Sequence, residues 1–233
     1  MSPPTPPRGF TTTRAWIFDL DNTLYPASCN LFAQVDQRMG EFIQRYLGVP
    51  FPYARHLQKT YYRQFGTTLA GMMRVHKMDP KAFLDYVHEI DLSPVAPSPA
   101  LGRAIAALPG RKLIFTAGSR RHAERVGTKL GVLHHFEAIS DIVDADYIPK
   151  SEADAYHRFL ARHAVDPAAA AMFEDMPHNL EPAHALGMTT VLVHSGADFD
   201  TPVQRRIREW TERPAHIHHL TADLATFLAA LPR

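Results

Sequence analysis

The chain has 233 residues, a formal net charge of +1, 45% apolar and 21% charged residues, and one cysteine. That length allows one good core, or a core with a small inserted unit, and the composition is ordinary for a globular protein. The near-zero charge gives no basic field for nucleic acid, Cys29 alone excludes an internal disulfide framework or a multi-cysteine zinc site, and no apolar run is long enough to span a membrane.

Residues 1–14 are rich in proline and threonine and lack the apolar centre of a secretory signal, so they are expected to form a disordered lead-in. A short apolar run, Ala15-Trp16-Ile17-Phe18, reads as a buried strand and ends in two carboxylates, Asp19 and Asp21. Pro26 then breaks the pattern. From residue 30 a helix is predicted, with Phe32, Val35, Met39, Phe42, Ile43 and Tyr46 on its apolar face and Gly48 and Pro50 at its end. Further helices are predicted over 52–64, from Thr67 or Thr68 through Val75, and over 80–90. The block 26–94 is thus all helical and is expected to be an inserted cap, with Pro94, Pro97 and Pro99 as a stiff return.

Strands and helices alternate beyond it. Helices are predicted over 99–108, 120–130, 151–163, 178–186 and 221–231, with a weak one after Pro202. Strands are predicted over 112–115, 137–139, 170–173, 190–193 and 216–220. This pattern implies an α/β fold, a doubly wound parallel sheet covered on both faces, formed by 15–25 and 95–233.

The chemistry-bearing residues fall at the ends of those strands, where open α/β sheets bind ligands. Asp19 and Asp21 repel one another and are costly to bury bare, and a divalent cation such as Mg²⁺ resolves the conflict. Thr116-Ala117-Gly118 follows one apolar strand and Glu174-Asp175 another, while Lys150 lies between them in sequence. A hydroxyl with backbone N–H groups beyond it suits a phosphoryl oxygen, and Gly118 permits close backbone approach. Taken singly, these residues also fit plainer roles: loop carboxylates, a threonine N-cap, a solvated lysine. Their order makes the joint signal.

Asp19-Leu20-Asp21-Asn22-Thr23 with Leu24-Tyr25-Pro26 resembles the first motif of the haloacid dehalogenase superfamily of phosphohydrolases. Thr116, Lys150 and Glu174-Asp175 resemble its remaining three motifs. Two departures stand out: Ala117 where many relatives carry asparagine, and Ser151 where many carry proline. Ser151 is expected to cap the next helix. The resemblance implies that Asp19 is a nucleophile forming an aspartyl-phosphate and that Asp21 is the acid and base. It also implies that Lys150 and Thr116 serve the phosphoryl group, and that Mg²⁺ is held by Asp19, Asp21 (through its carbonyl) and Asp175. Glu174 and Asn179 are expected around the metal, Asn179 orienting a metal-bound water. Thr116, Ala117, Gly118, Lys150, Asn22 and Tyr25 are the expected substrate contacts.

Within the superfamily, Tyr61-Tyr62 through Gly66 and His76-Lys77-Met78-Asp79-Pro80 resemble the pyrimidine 5′-nucleotidase subgroup. The resemblance implies a small phosphate ester as substrate, with UMP or CMP favoured and the cap, including Tyr61, Tyr62, Met72, His76 and Lys77, choosing it. A sugar phosphate or phosphoglycolate phosphatase, a 2-haloacid dehalogenase and a catalytically idle regulator are the alternatives. No nucleic-acid or membrane partner is expected, the setting is expected to be cytoplasmic, and oligomeric state is not legible. His216, His218 and His219 look like metal ligands but fit an edge strand better. Arg120, Arg121 and Arg125 follow the phosphate turn, with Arg120 near enough to reach a substrate.

Overall fold

In the computed structural model, which describes residues 9–195 and 202–232, strand β1 (Ala15–Phe18) is buried along its whole length at the centre of the sheet. Its side chains alternate between two cores. Trp16 and Phe18 join the larger cluster on one face, and Ala15 and Ile17 join a second cluster on the other. Only a sheet covered on both sides accepts apolar residues at successive positions. Phe18 lies in register with Phe173 of the neighbouring strand, and their rings stack at 4.6 Å.

The other strands are β2 (Arg111–Phe115), β3 (Ala138–Ser140), β4 (Ala170–Glu174), β5 (Thr189–Val193) and β6 (His219–Thr221). All pairings are parallel, in the order β3-β2-β1-β4-β5-β6. This is the doubly wound, Rossmann-like arrangement expected. The winding reverses between β1 and β4, which opens a crevice at their carboxyl ends.

Four helices follow β1 within residues 26–94: α1 (Leu31–Leu47), α2 (Phe51–Phe65), α3 (Thr68–His76) and α4 (Pro80–Val87). Thr67 caps α3 through the Ala70 N–H, and Asp79 caps α4 through the Lys81 N–H. α1 packs on α2 and α4, and α2 packs on α3. Asp36 ties α1 to α2 by accepting from Arg55 at 2.6 Å, Lys59 at 2.6 Å and the buried Gln58 at 2.8 Å. The remaining helices are α5 (Pro99–Ala107), α6 (Arg120–Leu130), α7 (Ala153–His163), α8 (Leu180–Ala185), α9 (Pro202–Glu209) and α10 (Leu224–Ala229). Among the described residues no helix is long and apolar enough to cross a membrane.

Several local expectations shift. Of the apolar face assigned to α1, Phe32 and Tyr46 are exposed, and Leu31, Val35, Gly40 and Ile43 are the buried positions. The stretch 178–186 divides into a short 3-10 turn, Pro177–Asn179, and α8. Ser151 does not cap α7, whose N-cap is Glu152 without a side-chain bond. β6 begins at His219, and His218 instead accepts from the Thr190 N–H at 3.0 Å. Of the expected lead-in, residues 1–8 lie outside the described residues. Phe10 and Thr13 are buried, with the Phe10 ring against Trp16 and Phe227, so this part packs on the core.

Candidate active site

β1 ends by handing its last ladder bond to Asp19, whose N–H donates to the Phe173 carbonyl at 2.9 Å. The chain then turns around the fully buried Leu20, with the Thr23 and Leu24 N–H groups both donating to the Leu20 carbonyl. Asn22 adopts φ 60°, a left-handed conformation that asparagine tolerates better than most residues. The turn brings Asp19 and Asp21 to the same crevice with different neighbours.

Asp19 is buried. Its Oδ1 lies 2.5 Å from Lys150 Nζ, and its Oδ2 accepts from the Thr23 hydroxyl at 3.0 Å. Lys150 is 4% exposed and also reaches Glu174 Oε1 at 2.6 Å and the Phe115 carbonyl at 3.3 Å. Glu174 is held by Asn179 Nδ2 at 2.7 Å and the Met176 N–H at 2.6 Å. Asp175 accepts from Asn22 Nδ2 at 3.3 Å. Burial opposes the Lys150 charge, but Asp19 and Glu174 outweigh it and push the ammonium up, while Glu174 is drawn down by Lys150 against its own burial.

Asp21 turns away from that cluster. Its Oδ1 accepts from the Tyr25 hydroxyl at 2.6 Å and lies 2.8 Å from His122 Nε2. Burial pushes its carboxyl up, yet the His122 imidazole and the bonds from His122 and Tyr25 win and hold it down at about 2. Tyr25, expected among the substrate contacts, is buried and directs its hydroxyl to Asp21.

Thr116 follows β2 and is buried, its Oγ1 accepting from the Gly118 N–H at 3.0 Å. Ala117 is exposed and Gly118 buried. A Cβ at Gly118 would sit 3.2 Å from the His122 ring and 3.5 Å from His88, so glycine lets the turn lie against both rings. Ser119 then caps α6 through the His122 N–H, and Asp141 accepts from the Arg120 N–H.

Asp19, Glu174 and Asp175 place one oxygen each within 4.8 Å of one another. Burial drives Asp19 up, Glu174 and Asp21 add to it, and Lys150 only partly offsets them, leaving the group at about 7. Burial, followed by Glu174 and Asp19, pushes Asp175 well above the usual carboxylate range. Hard oxygen donors that disfavour one another's charge suit a small divalent cation. Asp19 and Asp175 of this trio belong to the expected metal set, in which Asp21 was to serve through its carbonyl; its carboxylate is bonded to Tyr25 and His122. Asn179, expected to orient a metal-bound water, donates to Glu174 at 2.7 Å.

Of the helical residues expected to choose a substrate, Tyr61 and Met72 are buried within the block, with the Tyr61 hydroxyl 2.7 Å from His76 Nε2, and Lys77 bonds the Arg74 carbonyl. Tyr62 is exposed, with its hydroxyl 3.4 Å from His178 Nε2. Arg120 is paired with Asp144 at 2.7 Å. Sequence reasoning missed His122 and the bond from Thr23 to Asp19. The signal for His122 was its place on the buried stripe of α6 with Val126 and Leu130, directly after the Thr116 turn.

A family model for haloacid dehalogenase-like hydrolases matches residues 13–187. The chain belongs to that family. Among curated proteins it is similar to Phosphate metabolism protein 8 of Saccharomyces cerevisiae, at 25% identity over 210 residues, 82% of this chain. The match spans 65% of the length of that relative. Among solved structures it resembles a 2-haloacid dehalogenase from Pseudomonas syringae pv. Tomato, with TM-score 0.56 and 16% identity over 94% of this chain and 98% of that one. It also resembles a HAD phosphatase from Thermococcus onnurineus, with TM-score 0.53 and 18% identity over 82% and 90% of the two chains. At such identities the structural likeness speaks to the haloacid dehalogenase-like fold alone.

Proposed function

We propose that this chain is a Mg²⁺-dependent phosphomonoesterase acting through an aspartyl-phosphate, with a pyrimidine 5′-nucleotide such as UMP or CMP as its substrate. The observation that carries the reading is the division of the crevice. Asp19 lies on Lys150 beside two further acids, while Asp21 is held apart by Tyr25 and His122.

In this reading an Asp19 oxygen attacks phosphorus, and the bond from phosphorus to the ester oxygen breaks. The leaving oxygen takes a proton from Asp21. Water then attacks the aspartyl-phosphate, the bond from phosphorus to Asp19 breaks, and Asp21 takes the water's proton. Lys150 and the backbone beyond Thr116 neutralise and orient the phosphoryl oxygens. Asp19 and Asp175, with Glu174 beside them and the Asp21 carbonyl, would hold Mg²⁺, which neutralises charge so that a carboxylate and a phosphate can meet.

Residues 26–94 serve in this reading as a cap on a core formed by 15–25 and 95–233. Three contacts support it: Gly66 lies against Pro149 and Ser151, Tyr62 lies against His178, and the His88 ring stacks on His122 at 4.5 Å. Substrate choice then falls to the cap surface around Tyr62, and closure sheds water from the site. The single cysteine fits a reducing, cytoplasmic setting.

Carbon–halogen hydrolysis by the same carboxylate attack is the rival. A halide leaves without a proton, so it would give the doubly bonded Asp21 no task. The test is phosphate release with Mg²⁺ from UMP, CMP, purine 5′-nucleotides, sugar phosphates and phosphoglycolate, with halide release from a 2-haloacid in parallel. Preference for UMP or CMP is the expected result. Weak release from all esters would withdraw the nucleotide assignment, and halide release without phosphate release would overturn the phosphatase reading.

A further inference from the structure

His122 belongs to none of the four motifs, yet its side chain is fully buried. Burying an imidazole is costly unless it makes a hydrogen bond. Among the described residues its Nδ1 has no partner, and its Nε2 lies 2.8 Å from Asp21 Oδ1. A carboxylate can only accept, so Nε2 is the donor. The Tyr25 hydroxyl donates to that same oxygen at 2.6 Å. Two donors therefore fix Oδ1, and no described side chain bonds Oδ2. The carboxylate is anchored by one oxygen and presents the other.

The ring is itself fixed. Ser119 caps α6 through the His122 N–H, so ring and phosphate turn form one unit. On its face the His88 ring stacks at 4.5 Å and 15°, with its own Nδ1 3.0 Å from the Ser119 hydroxyl. Arg125 holds the end of that segment by donating to the His88 carbonyl at 2.9 Å and the Ile90 carbonyl at 3.1 Å.

We propose that His122 is a positioning residue that anchors Asp21 Oδ1, so that Oδ2 delivers the proton to the leaving oxygen and later takes one from water. The proposal rests on the phosphomonoesterase reading above. Its chemistry adds no reactant: the electrons of the broken ester bond stay on the leaving oxygen, and the proton on that oxygen comes from Asp21.

The experiment compares wild type, His122→Ala and His122→Gln on a nucleoside 5′-monophosphate and on p-nitrophenyl phosphate. The Gln amide can place a donor where Nε2 stood. On the nucleotide, His122→Ala is expected to lose roughly 10²-fold or more in kcat with KM within about threefold, and His122→Gln to recover most of it. On p-nitrophenyl phosphate the leaving group departs without a proton, so the first step survives. A burst of nitrophenolate stoichiometric with enzyme then precedes slow turnover, because Asp21 must still activate water. Equal losses on both esters without a burst, or no difference between the Ala and Gln variants, would mark a merely structural role and overturn the proposal.

Spectra of ¹⁵N-histidine-labelled wild type keep the test open if His122→Ala does not fold. The His122 signal, identified by its loss in His122→Gln, should show a proton on Nε2, and a ring protonated on Nδ1 alone overturns the proposal. A wild type that releases phosphate from neither ester overturns the phosphatase reading and this proposal with it. An active wild type whose His122→Ala variant keeps its rates overturns this proposal alone.

Discussion

Replacing Lys150 with methionine tests the electrostatics of the crevice without touching a reacting carboxylate. The ammonium is 4% exposed and lies 2.5 Å from Asp19 and 2.6 Å from Glu174. Methionine fills similar volume, so the change is chiefly in charge. Removing one partner of a buried ion pair costs about 3–5 kcal/mol when the orphaned charge stays buried. For a chain of this size that is a fall in Tm of roughly 6–20 °C. The fall must depend on pH. Asp19 already sits high, at about 7, and without Lys150 it rises further, as does Glu174. A carboxyl whose folded value lies above its unfolded value binds extra protons when folded, so stability is lost as pH rises between the two. The destabilisation is therefore small near pH 5, where protonation relieves the repulsion, and largest near pH 8. Mg²⁺ should return part of the loss at the higher pH, since a cation beside Asp19 and Asp175 repeats some of what the ammonium did. Thermal unfolding at both pH values, with and without Mg²⁺, reads all three effects. A Tm unchanged near pH 8, or an equal fall at both pH values, would refute the reasoning.

Asp19→Asn should lower kcat by roughly 10⁴-fold or more while leaving the circular dichroism spectrum that of a folded protein, and an active variant would sink the nucleophile assignment. Chelation should stop turnover reversibly, with Mg²⁺ restoring it, and an unchanged rate in metal-free buffer would remove Asp175 from the proposed ligand set. Asn22 separates backbone from side chain. Asn22→Ala should cost about 1–2 kcal/mol for the left-handed residue and more for the lost bond to Asp175, whereas Asn22→Gly keeps the turn and loses only the bond. Equal stability of the two variants in chemical denaturation would show that the conformation at φ 60° carries no strain.

What could be read from the sequence follows the range of the interactions involved. The strand before Asp19, the all-helical block and the β/α alternation are local patterns, and they matched the architecture. Asp19, Thr116, Lys150 and Asp175 were singled out by their order along the chain and because each lies beside an expected strand end or helix start. His122 was not found because its partner is 101 residues away, and its place on the buried stripe of α6 after the Thr116 turn is one that a core histidine would also take. Ser151 failed as a cap for a different reason. α7 begins at Ala153 with Glu152 as its N-cap, so Ser151 lies one residue too early to cap it, on the side of the chain that faces Gly66 of the helical block. The exposed Phe32 and Tyr46 show the limit of periodicity in a helix of 17 residues, where six apolar positions were assigned to one face and α2 and α4 cover only a narrower stripe.

Two carboxylates two residues apart acquire opposite characters here, and that difference is the strongest physical argument for separate roles. Asp19 is driven up to about 7 by burial and by Glu174 and Asp21, against Lys150. Asp21 is held down at about 2 by His122 and Tyr25, against its burial. Neighbouring groups pushed apart in this way are how one site assigns an acid–base residue and a nucleophile. In the proposed reaction the resting values suit neither task as they stand, and both would be corrected by what the reaction brings. A cation beside Asp19 and Asp175 would lower Asp19 toward the carboxylate that the proposed attack needs. A phosphate dianion beside Asp21 would raise that group toward the protonated form that the proposed first step needs. With the leaving group gone, Asp21 would relax toward the carboxylate that its two donors favour, the form that the proposed second step needs. On that proposal the pull of His122 and Tyr25 on the Asp21 charge suits the second half of the cycle, and the substrate's own charge would supply the condition for the first.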